Sequence, residues 1–322
     1  MTYPVALIQI VGGVLYLLMG GDLLVRGAMA LARRTRVSPM VIGLTIVALG
    51  TSAPELVVTL LAIMGGYPEL AISNVVGSNI ANVLVVMAIP AMIYPLSCAQ
   101  KSARADSVFM LLITATFLLL VMDGALNRAD GFILLSGLVI FLALQARRES
   151  DIEPELLPDG RLPFVLGLPN KTITIAALIA AGIVMLPLGA DLLINGAVGL
   201  GGRLGISNQV LGLTVVALST SVPELATTVI AALKRQADLA VGNVIGSNVL
   251  NILGIMGAAS LTSLRELIVP ERFLVLDLPL MFGATLVVTL VALRGGAVGR
   301  KLGVTMLAIY VIYSVMLYTT LA

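Results

Sequence analysis

The chain has 322 residues, 59% of them hydrophobic and 11% charged, with a formal net charge of +2 and a mean hydropathy of +1.09. A water-soluble domain of this length cannot hide that much apolar surface, so the bilayer is its solvent and an all-α polytopic membrane protein is expected. One cysteine, Cys98, and no histidine argue against a disulfide framework, Cys/His metal sites and a histidine proton relay, and the small charge without a basic patch argues against nucleic acid.

The start, MTYPVALIQI, has no positively charged leader region, so no cleaved signal peptide is expected and the first helix is read as the insertion signal. Crossing ~30 Å of hydrocarbon takes about 20 apolar residues. In chain order the expected spans are 6–32, 39–65, 70–97, 105–122, 130–146, 172–202, 208–233, 239–264, 272–293 and 302–321. The charged, proline-rich stretch RRESDIEPELLPDGRLP is too short for a folded domain. It reads as a cytoplasmic linker over 147–171, between a first five-helix unit (1–146) and a second (172–322).

Lys and Arg set the orientation. With the N-terminus outside, the inner loops hold 14 of them, including Arg33, Arg34, Arg36, Lys101, Arg104, Lys234 and Arg235; the outer loops hold only Arg128, Arg203, Arg265 and Arg272. Both termini are therefore expected outside, in the plasma (inner) membrane of a prokaryote, with the lipid bilayer as surroundings and no protein partner evident.

The second span contains GLTIVALGTSAPEL at 43–56, and the seventh contains its twin, GLTVVALSTSVPEL at 212–225. At this offset of 169, residues 21–56 and 190–225 are identical at 20 of 36 positions, and 70–84 and 239–253 at 9 of 15. Five spans, an odd number, precede the second copy. The copies therefore have opposite membrane orientations, as in secondary transporters whose binding site lies at the repeat interface.

Both motifs fall at mid-bilayer depth. Pro54 has no N–H, so the Gly50 carbonyl loses its helical partner, and Pro223 does the same to Ser219. Freed carbonyls in lipid are tolerated only where they line a cavity or bind something, and a mid-membrane carboxylate is a functional group by default. A hard cation resolves both, because it takes carboxylate, carbonyl and hydroxyl oxygens. Glu55 and Glu224, with Thr51, Ser52, Thr220 and Ser221, then form parts of one cation cage.

Asn74, Ser78 and Asn82 recur every four residues on one helix face, as do Asn243, Ser247 and Asn251. A lone Asn or Ser in a span is more often glue between helices. The doubling beside a glutamate motif makes Ser78, Asn82, Ser247 and Asn251 candidate ligands, and leaves Asn74, Asn79, Asn243 and Asn248 as structural support. Gly77 and Gly246 are expected to let these helices approach their neighbours closely. Asp22, one turn before Arg26, and Asp191, one turn before Asn195, suggest a structural or gating role. Asp106 and Asp277 are expected near the interfaces, without a binding role.

The paired GTSAPE/GSNIAN and STSVPE/GSNVLN motifs resemble the alpha repeats of the calcium/cation antiporter superfamily, specifically its prokaryotic sodium/calcium exchangers, over nearly the whole chain. The resemblance implies ten helices in two inverted halves and four mid-membrane ion sites, one for calcium and the rest for sodium. It implies first and sixth helices that slide against the other eight. It carries the ligand role to Thr51, Ser52, Glu55, Ser78 and Asn82, to Thr220, Ser221, Glu224, Ser247 and Asn251, and to the backbone carbonyls of Ala48 and Ala217. Transported Ca²⁺ and Na⁺ are its substrates, and no cofactor is expected.

Two departures stand out. Ser219 replaces a usual Gly, and Asn251 stands where several relatives carry Asp, which argues against potassium dependence. The large regulatory loop of animal exchangers has no counterpart. A proton/calcium exchanger of the same superfamily is the alternative. An intramembrane enzyme built on Asp22 and Asp191 lacks any GxGD, HExxH or Ser/His motif, and a channel would need a continuous pore.

Overall fold

The structure, a computed structural model, describes residues 2–147, 165–167, 171–204 and 219–321. Most of the linker and the first part of the seventh span lie outside them. Helix α1 (Tyr3–Thr35) ends at Arg36, whose positive φ of 57° turns its N–H back onto the Ala32 carbonyl. Ser38 then caps α2 (Pro39–Thr51) by accepting a 3.2 Å hydrogen bond from the Val41 N–H. α2 meets α3 (Ala53–Met64) at a 45° bend. α4 (Pro68–Ile93), α5 (Lys101–Leu120) and α6 (Arg128–Ala146) complete the first half, and α6 starts from a capping box between Asn127 and Asp130.

The second half repeats the order as α7 (Thr172–Arg203), α8 (Val222–Leu233), α9 (Ala237–Thr262), α10 (Phe273–Leu293) and α11 (Arg300–Leu321). Among the described residues, eight of these helices are long and apolar enough to cross a membrane, and the bent α2–α3 pair makes a ninth span. α8 supplies the described part of the seventh expected span. The chain is thus an all-α membrane protein with the expected architecture of two inverted five-helix repeats.

Two features are absent from the expectation. Four two-residue strands pair antiparallel: β1 (Leu96–Ser97) with β4 (Ala297–Val298), and β2 (Ala125–Leu126) with β3 (Leu267–Ile268). Each pair joins a loop of one half to a loop of the other, and the ten-span topology puts both loops of a pair on the same membrane face. The second feature is a glycine ladder between α1 and α7. Gly13, Gly20 and Gly27 recur every seven residues, and Gly182, Gly189 and Gly196 match them at the same offset of 169. A Cβ on Gly13 would sit 2.5 Å from the Leu193 N, and one on Gly182 would sit 2.8 Å from the Gly20 carbonyl oxygen. Only glycine permits so close a backbone approach, so α1 and α7 pack as one antiparallel unit along their length.

α4 and α9 are the most buried spans and form the centre of the molecule. α1, α6 and α11 present large apolar side chains outward, among them Ile8, Phe132 and Ile312. In a bilayer those residues face lipid tails rather than water, which removes any penalty for their exposure.

Candidate functional site

The two broken motifs adopt the same local geometry. Ser52 has φ −86° and ψ 7°, and Ser221 has φ −85° and ψ 1°. Ser52 ends one helical segment and begins the next, and Ser221 begins the helix that follows it; in both, the proline sits in the first turn of the new helix, where its missing N–H does no harm. Glu55 and Glu224 follow in those first turns, and both are fully buried. The freed Ser219 carbonyl receives only a long 3.4 Å bond from the Val222 N–H. The Ala48 carbonyl accepts from the Ser52 N–H at 2.9 Å and from the Thr51 hydroxyl at 3.4 Å. Ala217 lies outside the described residues.

Short π-helical turns accompany the site. They span Gly43–Val47, Asn82–Met87 and Leu250–Met256. Asn82 begins one and Asn251 sits in another, so each candidate asparagine lies where the helical register shifts. Such bulges concentrate at functional sites because they re-aim side chains and loosen backbone carbonyls.

The candidate residues come together across the halves. The Ser52 hydroxyl donates to Glu224 Oε1 at 3.0 Å, and the Ser78 and Thr220 hydroxyls share a hydrogen bond of 3.2 Å. Asn82 Nδ2 donates to Asn248 Oδ1 at 3.2 Å, and Thr51 donates to Asn243 Oδ1 at 3.3 Å. Two of the residues read as support, Asn74 and Asn243, reach the turns that carry the glutamates. Asn74 Nδ2 donates to the Glu55 carbonyl at 3.2 Å and to the Thr59 hydroxyl at 3.0 Å. In the other half, Asn243 Nδ2 donates to the Thr228 hydroxyl, which itself donates to the Glu224 carbonyl at 2.6 Å. Each asparagine therefore braces the turn that carries a glutamate. Thr59 and Thr228, absent from the expectation, stand at the same offset of 169, the one signal by which they could have been found.

What remains unsatisfied defines the site. Among the described residues, both oxygens of Glu55, Oε2 of Glu224, Oδ1 of Asn82, the hydroxyls of Ser221 and Ser247, and Oδ1 of Asn251 are buried without a close hydrogen-bond partner. An unpaired polar atom in hydrocarbon costs several kcal/mol. Seven oxygens left open around two carboxylates fit the donor set of a hard cation, which binds oxygen without needing nitrogen or sulfur.

The surroundings differ on the two sides of this cluster. A cavity of about 520 Å³ reaches Ser78 and Thr220 and is lined by Ser73, Asn74 and Gly77. Among the described residues, a Cβ on Gly77 would meet nothing within 4 Å. The positions that match Met40 and Leu44 in the repeat, 209 and 213, lie outside the described residues, so the close approach expected at Gly77 falls there. At Gly246 the close approach is present: a Cβ there would lie 2.5 Å from the Leu44 carbonyl oxygen, and one on Gly242 would lie 2.5 Å from that of Met40.

Asp22 is ion-paired. Its carboxylate is 2.7 Å from Arg26 Nε and 2.6 Å from Lys234 Nζ, tying α1 to the residue that ends α8. Asp191 is exposed on α7, and Asn195 and Gly65 occupy the places of Arg26 and Lys234. The ladder sets Gly20 against Leu186 and Gly13 against Leu193, so Asp22 and Asp191 lie about two helical turns apart along the pair. They do not form a two-acid centre.

The Sodium/calcium exchanger protein family matches residues 5–147 and 174–319. The chain is 31% identical to the sodium/calcium exchanger MaX1 of Methanosarcina acetivorans, covering 95% of this chain and 96% of that protein. It is 31% identical to inner membrane protein YrbG of Escherichia coli (strain K12), over 95% and 94%. Among solved structures, the sodium-calcium exchanger NCX_Mj soaked with zero Na⁺ and Ca²⁺ superimposes with a TM-score of 0.84 at 29% identity, covering 98% of this chain and 100% of that one.

Proposed function

The chain belongs to the sodium/calcium exchanger family, and from that membership we propose that it is an antiporter exchanging Na⁺ for Ca²⁺ across the plasma membrane by alternating access. The observation that carries the reading is the set of unpartnered buried oxygens around Glu55 and Glu224. The proposed ligands are Thr51, Ser52, Glu55, Ser78 and Asn82, with Thr220, Ser221, Glu224, Ser247 and Asn251, and the carbonyls of Ala48 and Ala217.

The charge balance explains exchange. With Asn at both 82 and 251, the two glutamates contribute up to two negative charges, which one Ca²⁺ neutralises. Sodium ions on the same oxygens neutralise them as well. Both loads together would leave unpaired positive charge in a medium of low dielectric, and an empty site would leave two unpaired carboxylates. Either mismatched state resists crossing, which couples the two fluxes. If three Na⁺ exchange for one Ca²⁺, each cycle moves one net charge, worth about 2.3 kcal/mol per 100 mV, so transport is electrogenic. Asn251 in place of an acid supports independence from K⁺. The α1–α7 ladder supports movement of those two helices as one body against the rest.

The test is ⁴⁵Ca²⁺ uptake into proteoliposomes under outward Na⁺, K⁺ or proton gradients. Uptake driven by sodium alone, and lost in Glu55→Gln, is the expected result. Uptake driven by protons would replace sodium as the counter-ion and keep the glutamates, and a rate indifferent to voltage would remove electrogenicity.

A further inference from the structure

One carboxylate beside the cavity is not used by the site. Asp277 lies at the end of the π-turn Phe273–Asp277 that opens α10. It is 1% exposed and belongs to the cavity wall that also carries Arg272, Tyr310, Tyr313 and Ser314. One of its oxygens accepts a hydrogen bond from the Tyr313 hydroxyl. The other, Oδ2, has Arg272 Nε at 3.5 Å, beyond good hydrogen-bonding distance, and neither of these two atoms has another partner.

That pairing is unusual for its surroundings. Charged N–H to carboxylate contacts in a low-dielectric site close to roughly 2.7–2.9 Å and are often bidentate. Here the guanidinium instead lies over the Phe273 ring, 4.9 Å from its centroid, and stays one-third exposed. Arg272 thus neutralises Asp277 loosely, while the carboxylate is already oriented by Tyr313.

The first half supplies a comparison. Asp106, near the start of α5, accepts a 2.9 Å hydrogen bond from Gln145 on α6, much as Asp277 is joined to Tyr313 on α11. Clipping the fourth span of a half to its fifth is therefore a sufficient structural role for an aspartate here. Asp106 does not line the cavity, and Asp277 does.

We propose that Asp277 is a cation subsite at the wall of the cavity, where an arriving hard cation, Ca²⁺ or Na⁺, displaces Arg272 from the open carboxylate oxygen before passing on to Ser78 and Thr220. The proposal rests on the exchange reading above. A fixed negative charge on the wall of a low-dielectric cleft concentrates cations and speeds their capture. The loosely held Arg272 keeps that charge compensated while the cation is away.

The experiment compares Ca²⁺ concentration dependence from each membrane face, with sodium-driven ⁴⁵Ca²⁺ flux into whole cells for one face and into inverted membrane vesicles for the other. Asp277→Asn is expected to raise KM for Ca²⁺ at least fivefold on one face only, with kcat within twofold of wild type. Arg272→Gln is expected to lower KM on that same face. Asp106→Asn, which removes the charge at the corresponding clip, is expected to leave that KM unchanged. The proposal is overturned if Asp277→Asn leaves KM unchanged on both faces, lowers flux equally on both, or if Arg272→Gln raises KM as Asp277→Asn does. A wild-type chain without sodium-driven flux would defeat the exchange reading first and this subsite with it, whereas unchanged KM beside normal wild-type flux defeats the subsite alone.

Discussion

The helices that carry GSNIAN and GSNVLN are close copies whose matching positions differ in residue type and in what is described around them. On α9, Gly242 and Gly246 press against the backbone of α2 at Met40 and Leu44. On α4, the matching positions are Ser73 and Gly77, and they border the cavity that reaches Ser78 and Thr220. The residues that match Met40 and Leu44, at 209 and 213, lie outside the described residues. The glycine at 246 is therefore tied to a close helix contact, and the one at 77 to the cavity wall.

The largest effect should be shared by both halves. Glu55 and Glu224 are both fully buried, and the proposed charge balance needs both. Glu55→Gln and Glu224→Gln are each expected to reduce sodium-driven ⁴⁵Ca²⁺ flux by at least a hundredfold, with folded yield retained. A variant keeping a tenth of the flux would show that one half suffices.

Substitution at the glycines sharpens the comparison directly. Gly246→Val forces side-chain atoms into the Leu44 backbone, an overpacking that costs about 1–3 kcal/mol and is expected to lower the thermal midpoint in detergent. Gly77→Val adds side-chain atoms at the wall of the cavity that reaches Ser78 and Thr220, and is expected to slow transport by narrowing it. Unchanged flux in Gly77→Val would show that this cavity is not on the ion path.

A smaller effect belongs to the charges that join α1 to α8. Asp22, Arg26 and Lys234 are partly exposed, and such pairs contribute about 1 kcal/mol or less, which limits the effect to roughly fivefold on an equilibrium. Lys234→Gln is expected to shift the balance of access states by up to that factor, read as the maleimide labelling rate of Ser73→Cys. Gly65→Lys with Asn195→Arg, which supplies Asp191 with the missing cations, is expected to shift it the other way.

The smallest effect is the background of that assay. Cys98 lies outside the spans, and burial pushes its thiol up to about 11 from an ordinary value of 9.0. It should stay protonated and unlabelled through pH 9. Labelling of the wild-type chain at pH 8 would show that the end of α4 opens.

Much of this molecule was legible in the sequence because the signals were repeated. The 169-residue offset fixed the inverted halves, and doubling lifted Ser78 and Asn251 from packing glue to candidate ligands. The glycine ladder was equally legible at its seven-residue spacing but was not read. Other features had no local sign. The π-turns at Asn82 and Asn251 have no sign in the apolar periodicity of their helices. The contacts of Asp22 with Lys234 and of Arg128 with Ser263 join residues far apart in the chain. The cavity beside Gly77 likewise had no sign in the sequence, because its wall joins Ser73, Thr220 and Asp277 from distant parts of the chain.

The central claim is that Ca²⁺ and Na⁺ compete for one set of oxygens held by Glu55 and Glu224. Equilibrium ⁴⁵Ca²⁺ binding to the purified protein, titrated with NaCl against KCl at constant ionic strength, tests it most directly. The account predicts that sodium displaces calcium with a Hill coefficient above 1, that potassium does not, and that Glu55→Gln binds no calcium. Calcium binding indifferent to sodium, or intact in Glu55→Gln, would contradict it.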